Sequence, residues 1–584
     1  MIAGWIRAMR PSLALTVLLA GLAVGGAVDA ATGGVLYVDR ANPACSDGGS
    51  GSLLQPFCSI GAGAARVGAG QSVEVASGIY LERVTVSVSG TSAAPIVFTA
   101  APGANVTVSG QANGFLISGM RSVTVSGFIV TQTSDHGISV SNSSDITLSN
   151  NHVSYSGQPV SGLTKNGIRI NNTTDSLVFG NIVDHNSDAG VAVVGGSTRN
   201  EVARNQTFLN ARGYQRAAAG IRLYQAPGNI VHGNVTHDNE DSGIESYPGS
   251  NQTLVYNNVS YNNGDHGIDN FGATGQRIIA NTVYKNVTAG INVEGTSTGA
   301  TLENNVSVDN GVKSPRTHGN IRIDASSTSG TTMDHDLVYL STPDTMLIWK
   351  SVSYSSLSAF RAASGQEVHG AQANARWRSA TTGDFHLLAG SPAIDSANSG
   401  ASGQPARDVN ENPRRDDPAT PDTGVGPRSY DDRGAYEFDG GVLDHLVLSP
   451  ASATIGAGGS QTYTAQGPPK LLGAQAKLRV TFTKGRTRIV SLRVSRLVTG
   501  SRVEVRCLRG CPVRKTALIT TGSWREFASL FRRRLLPNRA ALFVRVTKPD
   551  AIGRYFRWTV SGRRVLKVQC QVPLTGKVER CVKS

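Results

Sequence analysis

The sequence predicts an all-β protein: a right-handed parallel β-helix, which is a solenoid, followed by a basic, β-sandwich-like domain at the C-terminus. Three observations lead to this prediction. A pattern repeats every 23 to 30 residues, Gly, Ser, Thr, Asn and Val are abundant, and the charge changes sharply near residue 470. A repeat of this length indicates a solenoid of stacked coils. The composition favours strands and turns over helices.

The first 30 residues have the features of a signal peptide. Arg7 and Arg10 precede an uncharged run over residues 13–28, and Val28-Asp29-Ala30 resembles a cleavage site. The run is short for a membrane span. We therefore expect a secreted, extracellular protein, free or associated with the cell surface, with no membrane span after cleavage. An uncleaved membrane anchor is the alternative.

The β-helix is predicted over residues 31–385 from three series of residues that advance in step. Gly-Ile or Gly-Val pairs begin at Gly137, Gly167, Gly190, Gly220, Gly243, Gly267 and Gly290. A first asparagine series contains Asn151, Asn181, Asn205, Asn234, Asn258, Asn281 and Asn305. A second contains Asn186, Asn210, Asn239, Asn262, Asn286 and Asn310. Each period is interpreted as one coil of three short strands, with the aliphatic residues inside, glycine at tight bends and asparagine amides bonded along the axis.

Two periods are longer than the others because they contain insertions. The insertions run from Gly157 to Thr164 and from Arg212 to Ala217. Insertions in a solenoid form loops on one face of the stack. These two loops are expected to emerge on the same side of the coil and to border a groove.

Segments near the N-terminus resemble a known family of β-helix proteins. The segments are Val35–Asp39, Gln55–Ile60 and Gly90–Phe98, followed by Ala101-Pro102-Gly103. They are similar to the N-terminal coil of secreted bacterial pectate-lyase-like proteins, including polysaccharide lyase families 6 and 9. The resemblance implies a right-handed parallel β-helix and a polysaccharide as the ligand.

One outward-facing column of the predicted coil contains charged residues. The residue after each Gly-Ile or Gly-Val pair points outward because the aliphatic residue points inward. This column reads Ser139, Arg169, Ala192, Arg222, Glu245, Asp269 and Asn292. A neighbouring column reads Asp135, Lys165, Asp188, Ala218, Asp241, Asp265 and Thr288. Since adjacent coils lie about 4.8 Å apart, Asp241, Glu245, Asp265 and Asp269 are expected to form one acidic cluster.

Stacked carboxylates require compensation, and a bound Ca²⁺ would provide it. An acidic polysaccharide could add its own carboxylate to that ion, and a nearby base could remove the adjacent proton in a β-elimination. The stretches from Asp241 to Glu245 and from Asp265 to Asp269 look like the calcium-binding stretch of family 9 lyases, in which a lysine is the base. Lys285 is the matching candidate here, and Arg222 and His266 are the other candidate catalytic residues.

Two other functions remain open at this level. A glycoside hydrolase needs two facing carboxylates, which Asp238, Asp241 and Asp265 could supply. Alternatively, the protein is a non-catalytic surface or adhesion protein whose basic C-terminal domain attaches it to the cell envelope.

The segments after the β-helix differ in composition. Residues 386–440 are expected to close the coil. Their Asp408, Asp416, Asp417 and Asp422 could hold a cation, and the alternative, which the sequence favours, is a solvated loop. Residues 441–470 are interpreted as a linker that retains part of an Ig-like repeat, and residues 471–584 as the basic β domain. Residues 470–584 contain 28 Lys and Arg against 4 Asp and Glu, whereas the rest of the chain has 27 against 37.

The basic domain is expected to bind an acidic polysaccharide or an anionic cell-wall polymer. Nucleic acid is not expected, because the chain carries an export signal and no aromatic platform interleaves the basic strands. Six cysteines in an exported chain predict disulfides. They occur as Cys45 and Cys58, Cys507 and Cys511, and Cys570 and Cys581. The protein is expected to be a monomer.

Overall fold

The computed structural model describes residues 34–157, 165–211 and 218–440, and, with interruptions, residues 447–583. The predicted signal peptide, and the two predicted loops apart from Gly157, lie outside the described residues. The chain divides into two compact units, which are Met1–Gly441 and Val442–Ser584. In the part of the chain described here, no helix has the length and apolar character needed to cross a membrane.

The first unit contains three sheets of twelve strands each, through which the chain passes in turn. Sheet 1 consists of Val84–Val86, Phe115–Ser118, Ile138–Ser141, Ile168–Asn171, Val191–Val194, Ile221–Tyr224, Ile244–Ser246, Ile268–Phe271, Ile291–Glu294, Ile321–Ile323, Leu347–Trp349 and Val352–Tyr354. Sheet 2 consists of Val35–Val38, Ser72–Val75, Ile96–Ala100, Arg121–Ser126, Ser144–Ser149, Leu177–Phe179, Glu201–Ala203, Ile230–His232, Leu254–Tyr256, Arg277–Ile279, Thr301–Glu303 and Thr332–Asp334. Sheet 3 consists of Gly78–Tyr80, Val106–Ser109, Ile129–Thr131, His152–Ser154, Ile182–Asp184, Gln206–Phe208, Val235–His237, Val259–Tyr261, Thr282–Tyr284, Val306–Val308, Leu337–Tyr339 and Ala371–Gln372.

The pairing within the three sheets is parallel, except where the last two strands of sheet 1 pair antiparallel. This arrangement confirms the predicted parallel β-helix. The aliphatic residue of each Gly-Ile pair faces the interior, and Ile221, Ile244 and Ile291 are all fully buried. The preceding glycine is required by a close approach: a Cβ on Gly243 would lie 2.7 Å from the carbonyl oxygen of Gly267 in the next coil.

Asparagine side chains form two hydrogen-bonded ladders along the axis. In the first, each amide oxygen accepts bonds from the backbone N–H and the side-chain amide of the preceding asparagine, as Asn258 does from Asn234 at 3.0 and 2.9 Å. The last acceptor of this ladder is the carboxylate of Asp336. The second ladder runs through Asn263, whose amide oxygen accepts from Asn239 at 3.0 Å.

The prediction of Asn262 as a member of the second ladder is therefore wrong. Asn262 is exposed and has a φ of 56°, so it occupies the bend itself, while Asn263 turns inward. Two consecutive asparagines are equally suited to this bend by residue type. Their spacing from Asn239 differs by a single residue, which is within the variation of the repeat.

The ends of the coil are closed by short helices and by the segment that follows. Helix Ile60–Ala64 lies at the N-terminal end, and helix Leu357–Ser364 at the other. An antiparallel hairpin, Trp377–Ser379 with Asp384–Leu387, leads into the closing segment. Apolar side chains from residues 375–436 pack on sheet 3 against residues such as Tyr284. The remaining short helical turns are Ala325–Ser327, Ala380–Thr382 and Ala528–Phe531.

The second unit is built from antiparallel strands. One sheet contains Lys515–Ile519, Arg502–Leu508, Ala541–Lys548, Ala551–Ser561, Arg564–Val572 and Glu579–Lys583, with Lys470–Leu471 added in parallel. A second sheet contains Gln475–Thr483, Arg486–Ser495 and Trp524–Glu526. Both sheets contribute to one apolar core, with Leu492 from one and Val544 from the other. The predicted linker contains a short hairpin of Val447–Ser449 and Thr464–Gln466.

The disulfide prediction is met at the N-terminus, where Cys45 and Cys58 are bonded. Cys507 is also disulfide-bonded. Cys570 and Cys581 stand opposite each other on neighbouring antiparallel strands.

Candidate functional site

The charged outward column of sheet 1 is a continuous stack in the structure. Strand register places Arg222, Glu245, Asp269, Asn292 and Arg322 on consecutive coils. Each follows a buried aliphatic residue, so these side chains point away from the interior. The register therefore places three predicted site residues, Arg222, Glu245 and Asp269, directly beside one another.

Arg222 is held by two carboxylates. Its Nε donates to Glu245 Oε2 at 2.7 Å, and its Nη1 donates to Asp188 Oδ1 at 2.9 Å. Burial lowers the pKa of Arg222, but the charges of Glu245 and Asp188 outweigh burial and raise it. A guanidinium held in this way is a poor proton acceptor. The structure thus places Arg222, a predicted catalytic residue, in ion pairs with Glu245 and Asp188.

The carboxylates of the column are buried despite their outward direction. Glu245 is fully buried, and Asp269 is 5% exposed. Burial raises the pKa of Glu245, and Arg222 partly offsets this effect. Burial first, and then the charge of Glu294, raise the pKa of Asp269 well above its usual range, while Asn292 Nδ2 donates to Asp269 Oδ1 at 2.8 Å. The charges of neighbouring carboxylates thus add to the effect of burial on Asp269.

Asp265 and His266 lie on the flank of this column. Asp265 Oδ1 accepts from Thr288 Oγ1 at 2.6 Å and from Arg316 Nη2 at 2.9 Å. His266 Nδ1 lies 2.8 Å from Thr288 Oγ1, and His266 Nε2 lies 3.8 Å from Asp265 Oδ1. Burial lowers the pKa of His266, which favours the neutral imidazole at neutral pH. Asp241, in the same flanking position one coil earlier, is also buried and contributes its charge at Asp269.

The set of residues that could hold a cation differs from the predicted set. His266, Asp269 and Glu294 offer ligand atoms that lie within 4.8 Å of one another. Glu245 is instead paired with Arg222. Glu294 was missed because it ends the strand Ile291–Glu294, two positions beyond the residues compared in the sequence. The basic residues Arg316 and Arg322 were missed because they follow an irregular, longer period.

Lys285, the predicted base, lies on a different side of the coil. It is exposed at a bend with a φ of 49°, and its Nζ lies 5.2 Å from the centre of the Tyr284 ring. Tyr284 belongs to sheet 3, where it packs against Trp377 and Phe385. Asp238, a candidate for glycoside hydrolysis, is also next to sheet 3, with His237 Nδ1 at 2.8 Å from its carboxylate.

Aromatic side chains border the charged column where the strands of sheet 1 end. Tyr224 and Phe271 are 43% and 41% exposed. Tyr247 lies between their coils, with its ring centre 5.7 Å from that of Phe271 and 5.8 Å from Arg222 Cζ. Exposed rings beside charged groups are typical of a binding surface.

The acidic residues of the closing segment do not group as predicted. Asp408 Oδ1 accepts the backbone N–H groups of Asn410 and Asn412, and Asp417 binds Thr420. Asp416 and Asp422 instead share a group with the buried Asp395, whose ligand atom lies within 4.8 Å of theirs. Burial, with the charges of Asp422 and Asp416, raises the pKa of Asp395 to about 7.

Residues 84–260 and 202–357 match the family described as "Right handed beta helix region". Together with the three parallel sheets, this match identifies the first unit as a right-handed parallel β-helix, as predicted. No curated protein is significantly similar to the chain in sequence.

Several solved structures are similar to this chain at low sequence identity. The pectate lyase Pel9A is 18% identical with a TM-score of 0.47, and the match covers 70% of this chain and 97% of that one. A rhamnogalacturonan lyase is 15% identical with a TM-score of 0.38, covering 53% and 83%. An alginate lyase from Paenibacillus sp. str. FPU-7 is 14% identical with a TM-score of 0.34, covering 46% and 93%.

Proposed function

We propose that the outer face of sheet 1, from Ile221 to Ile323, binds an acidic polysaccharide and cleaves it by calcium-assisted β-elimination. The observation that supports this proposal is the burial of Asp269 among Asp241, Asp265 and Glu294, which raises its pKa. Like charges in a buried site are unfavourable unless a cation compensates them. A bound divalent ion would relieve this repulsion.

The donor atoms around Asp269 suit a hard cation. Carboxylate oxygens of Asp269 and Glu294 are within reach of one ion, and Ca²⁺ prefers six to eight oxygen ligands. A uronate carboxylate would supply further oxygens. When bound, the ion would draw charge from that carboxylate and acidify the proton on the adjacent carbon. Arg322, bonded to Glu294 Oε2 at 2.5 Å, adds positive charge at the same place.

We assign the role of base to His266, which would then border an ion held by Asp269 and Glu294 and would not be one of its ligands. Its imidazole borders the carboxylates, and burial keeps it neutral at neutral pH. The base would take the proton from the carbon next to the uronate carboxylate. The electron pair of that C–H bond would form a double bond to the neighbouring carbon, whose bond to the glycosidic oxygen breaks. The leaving oxygen would be protonated from solvent. Arg222 is disfavoured as the base by its ion pairs, which raise its pKa, and Lys285 by its position beside sheet 3.

The test is the near-ultraviolet absorbance of the unsaturated product with polygalacturonate, alginate and chondroitin, with added Ca²⁺ and with a chelator. Calcium-dependent growth of absorbance on one substrate is expected for the wild-type protein. Asp269→Asn should lose at least about a hundredfold of this rate. Asp175→Asn, which changes an exposed carboxylate bonded to Arg199 on sheet 2, is the matched control and should retain it. Flat traces from folded wild-type protein on all three polymers would refute cleavage of these substrates.

We further propose that the protein is secreted and that its second unit binds an anionic wall polymer or acidic polysaccharide. The outer face of the sheet Gln475–Thr483, Arg486–Ser495 and Trp524–Glu526 carries exposed basic residues: Lys477, Arg479, Arg486, Arg488 and Arg493. Trp524 is 53% exposed on this face, with Arg493 Cζ 4.3 Å from its ring centre.

This basic surface supports the adhesion function as a second candidate. Binding of the protein to polygalacturonate should weaken as salt is raised, because surface charges are screened. Arg493→Ala and Trp524→Ala should each weaken it, whereas Arg199→Ala on the first unit should not. Binding that is unaffected by salt and by these two variants would rule out this surface.

A further inference from the structure

Two histidines and an aspartate meet where sheet 2 ends, away from the charged column of sheet 1. Asp334 is the last residue of the strand Thr332–Asp334, His335 follows it, and His369 comes after the helix Leu357–Ser364. The two imidazole rings are stacked with centres 4.7 Å apart. One ligand atom from each of the three residues lies within 4.8 Å of the other two.

The three side chains are directed at the same point. His369 Nδ1 lies 2.7 Å from Asp334 Oδ2, and His335 Nδ1 lies 3.5 Å from the same oxygen. A second carboxylate oxygen, Glu303 Oε1 in the preceding coil, lies 3.8 Å from His335 Nδ1. Two imidazole nitrogens thus face two carboxylates from adjacent rungs of sheet 2.

His335 provides an independent indication of a ligand. Its side chain is only 4% exposed, yet its Nδ1 has no hydrogen-bond partner within the described part of the chain. A buried polar atom without a partner is unfavourable by about 1–3 kcal/mol. The orphan nitrogen is aimed at the carboxylates, where a bound ion would satisfy it.

We propose that Asp334, His335 and His369, with Glu303 as a further oxygen donor, bind a first-row divalent transition metal ion, for which Zn²⁺ is the probe. Imidazole nitrogen and carboxylate oxygen together are typical zinc ligands, whereas Ca²⁺ prefers oxygen alone. The ion would take the place of the hydrogen bond between His369 Nδ1 and Asp334 Oδ2.

The proposed ion site lies next to a contact between the last coil and the closing segment. Arg433, from the closing segment, donates Nη2 to the carbonyl oxygen of His369 at 2.9 Å and Nη1 to that of Asp336 at 3.2 Å. This contact already orients the backbone of one ligand. A metal held by Asp334, His335 and His369 would therefore join the end of sheet 2 to the segment that follows the helix Leu357–Ser364, and its role would be structural.

The test is titration of the full-length, untagged protein with Zn²⁺ by calorimetry, together with the visible absorption of Co²⁺ as a substitute ion. The wild-type protein should show a site that His335→Gln and His369→Gln both lack, and Zn²⁺ should raise its Tm but not theirs. His386→Gln is the matched control, because His386 Nδ1 is bonded to Asp384 at 2.7 Å without a second histidine. This variant should behave as the wild type.

Two results would overturn the proposal. One is the absence of Zn²⁺ binding to wild-type protein; the other is equal binding by the wild type and by both variants. Because the His369 side chain is 58% exposed, His369→Gln should fold even where His335→Gln does not. If His335→Gln does not fold, the Zn²⁺ titration of His369→Gln alone therefore tests the proposal. The polysaccharide assay is unaffected by either outcome.

Discussion

Early and late coils of sheet 1 share one backbone arrangement but carry different side chains. In the early coils the outward column holds Leu116 and Ser139, and the inward column holds Ile117 and Val140. In the late coils the outward column holds Arg222, Glu245 and Asp269, and the inward column holds Ser246 and Asn270. Both faces therefore become polar in the same two coils.

This difference shows which features the coil requires for stacking and which polar features it only tolerates. The early coils show that an apolar interior and tight bends suffice for stacking. The late coils add buried carboxylates outside and, inside, an Asn270 whose amide nitrogen and oxygen both lack hydrogen-bond partners among the described residues. Features that oppose stability tend to concentrate at functional sites. The comparison thus supports the late coils as the site on grounds of energetics alone.

The largest change in stability is expected when a coil with an apolar interior receives the inward polar residue of a late coil. Val193→Asn places an unpartnered amide in the apolar stack next to Leu223. The free energy of unfolding should fall by about 3 kcal/mol, from lost apolar burial and from desolvation of the amide. Urea denaturation followed by circular dichroism measures it. A loss below about 1 kcal/mol would show that coils with an apolar interior tolerate an inward polar side chain as well as the late coils do.

The reverse exchange should stabilise the protein. Asn270→Val removes both unsatisfied amide atoms and extends the aliphatic stack from Val293 by one coil, as far as Ser246. The free energy of unfolding should rise by about 1–2 kcal/mol. A decrease under the same denaturation conditions would mean that Asn270 has partners, such as buried water, that make it stabilising.

A smaller effect is expected outside the coil and depends on pH. Because burial raises the folded-state pKa of Asp269, folding favours its protonated form. The stability that Asp269 contributes is therefore fully present below the unfolded pKa of about 3.9 and is lost as pH rises toward the folded-state pKa. Asp269→Asn should remove this decline and gain about 1 kcal/mol at neutral pH without Ca²⁺. Denaturation curves of the two proteins, measured in parallel at several pH values above about 3.9, test it. Identical pH dependence in both proteins would contradict it.

The repeat made most of the fold predictable from sequence. Gly-Ile pairs locate the strands of sheet 1 because the close approach of successive coils excludes a Cβ, as at Gly243. Once the strands are located, alternation assigns Arg222, Glu245 and Asp269 to one outward column. The register in the structure agrees with this assignment.

The rest of the site could not be obtained from spacing. Arg316 reaches Asp265 from a loop outside the repeat, and His369 meets Asp334 from beyond a helix. Contacts of this kind depend on how irregular segments fold back, and periodicity carries no information about them. The ion pair between Arg222 and Glu245 could not be predicted from the sequence either, because charge pairing along a column depends on side-chain length and direction.

The asparagine ladders set a fixed rise for coils of unequal length. Asn205 and Asn234 are bonded in the same way as Asn234 and Asn258, although 29 residues separate the first pair and 24 the second. Extra residues therefore lengthen a loop and leave the axial step of about 4.8 Å unchanged. The β-helix can in this way gain or lose whole coils without a change in axial spacing. Each coil remains free to vary in the side chains that it carries on its outer face.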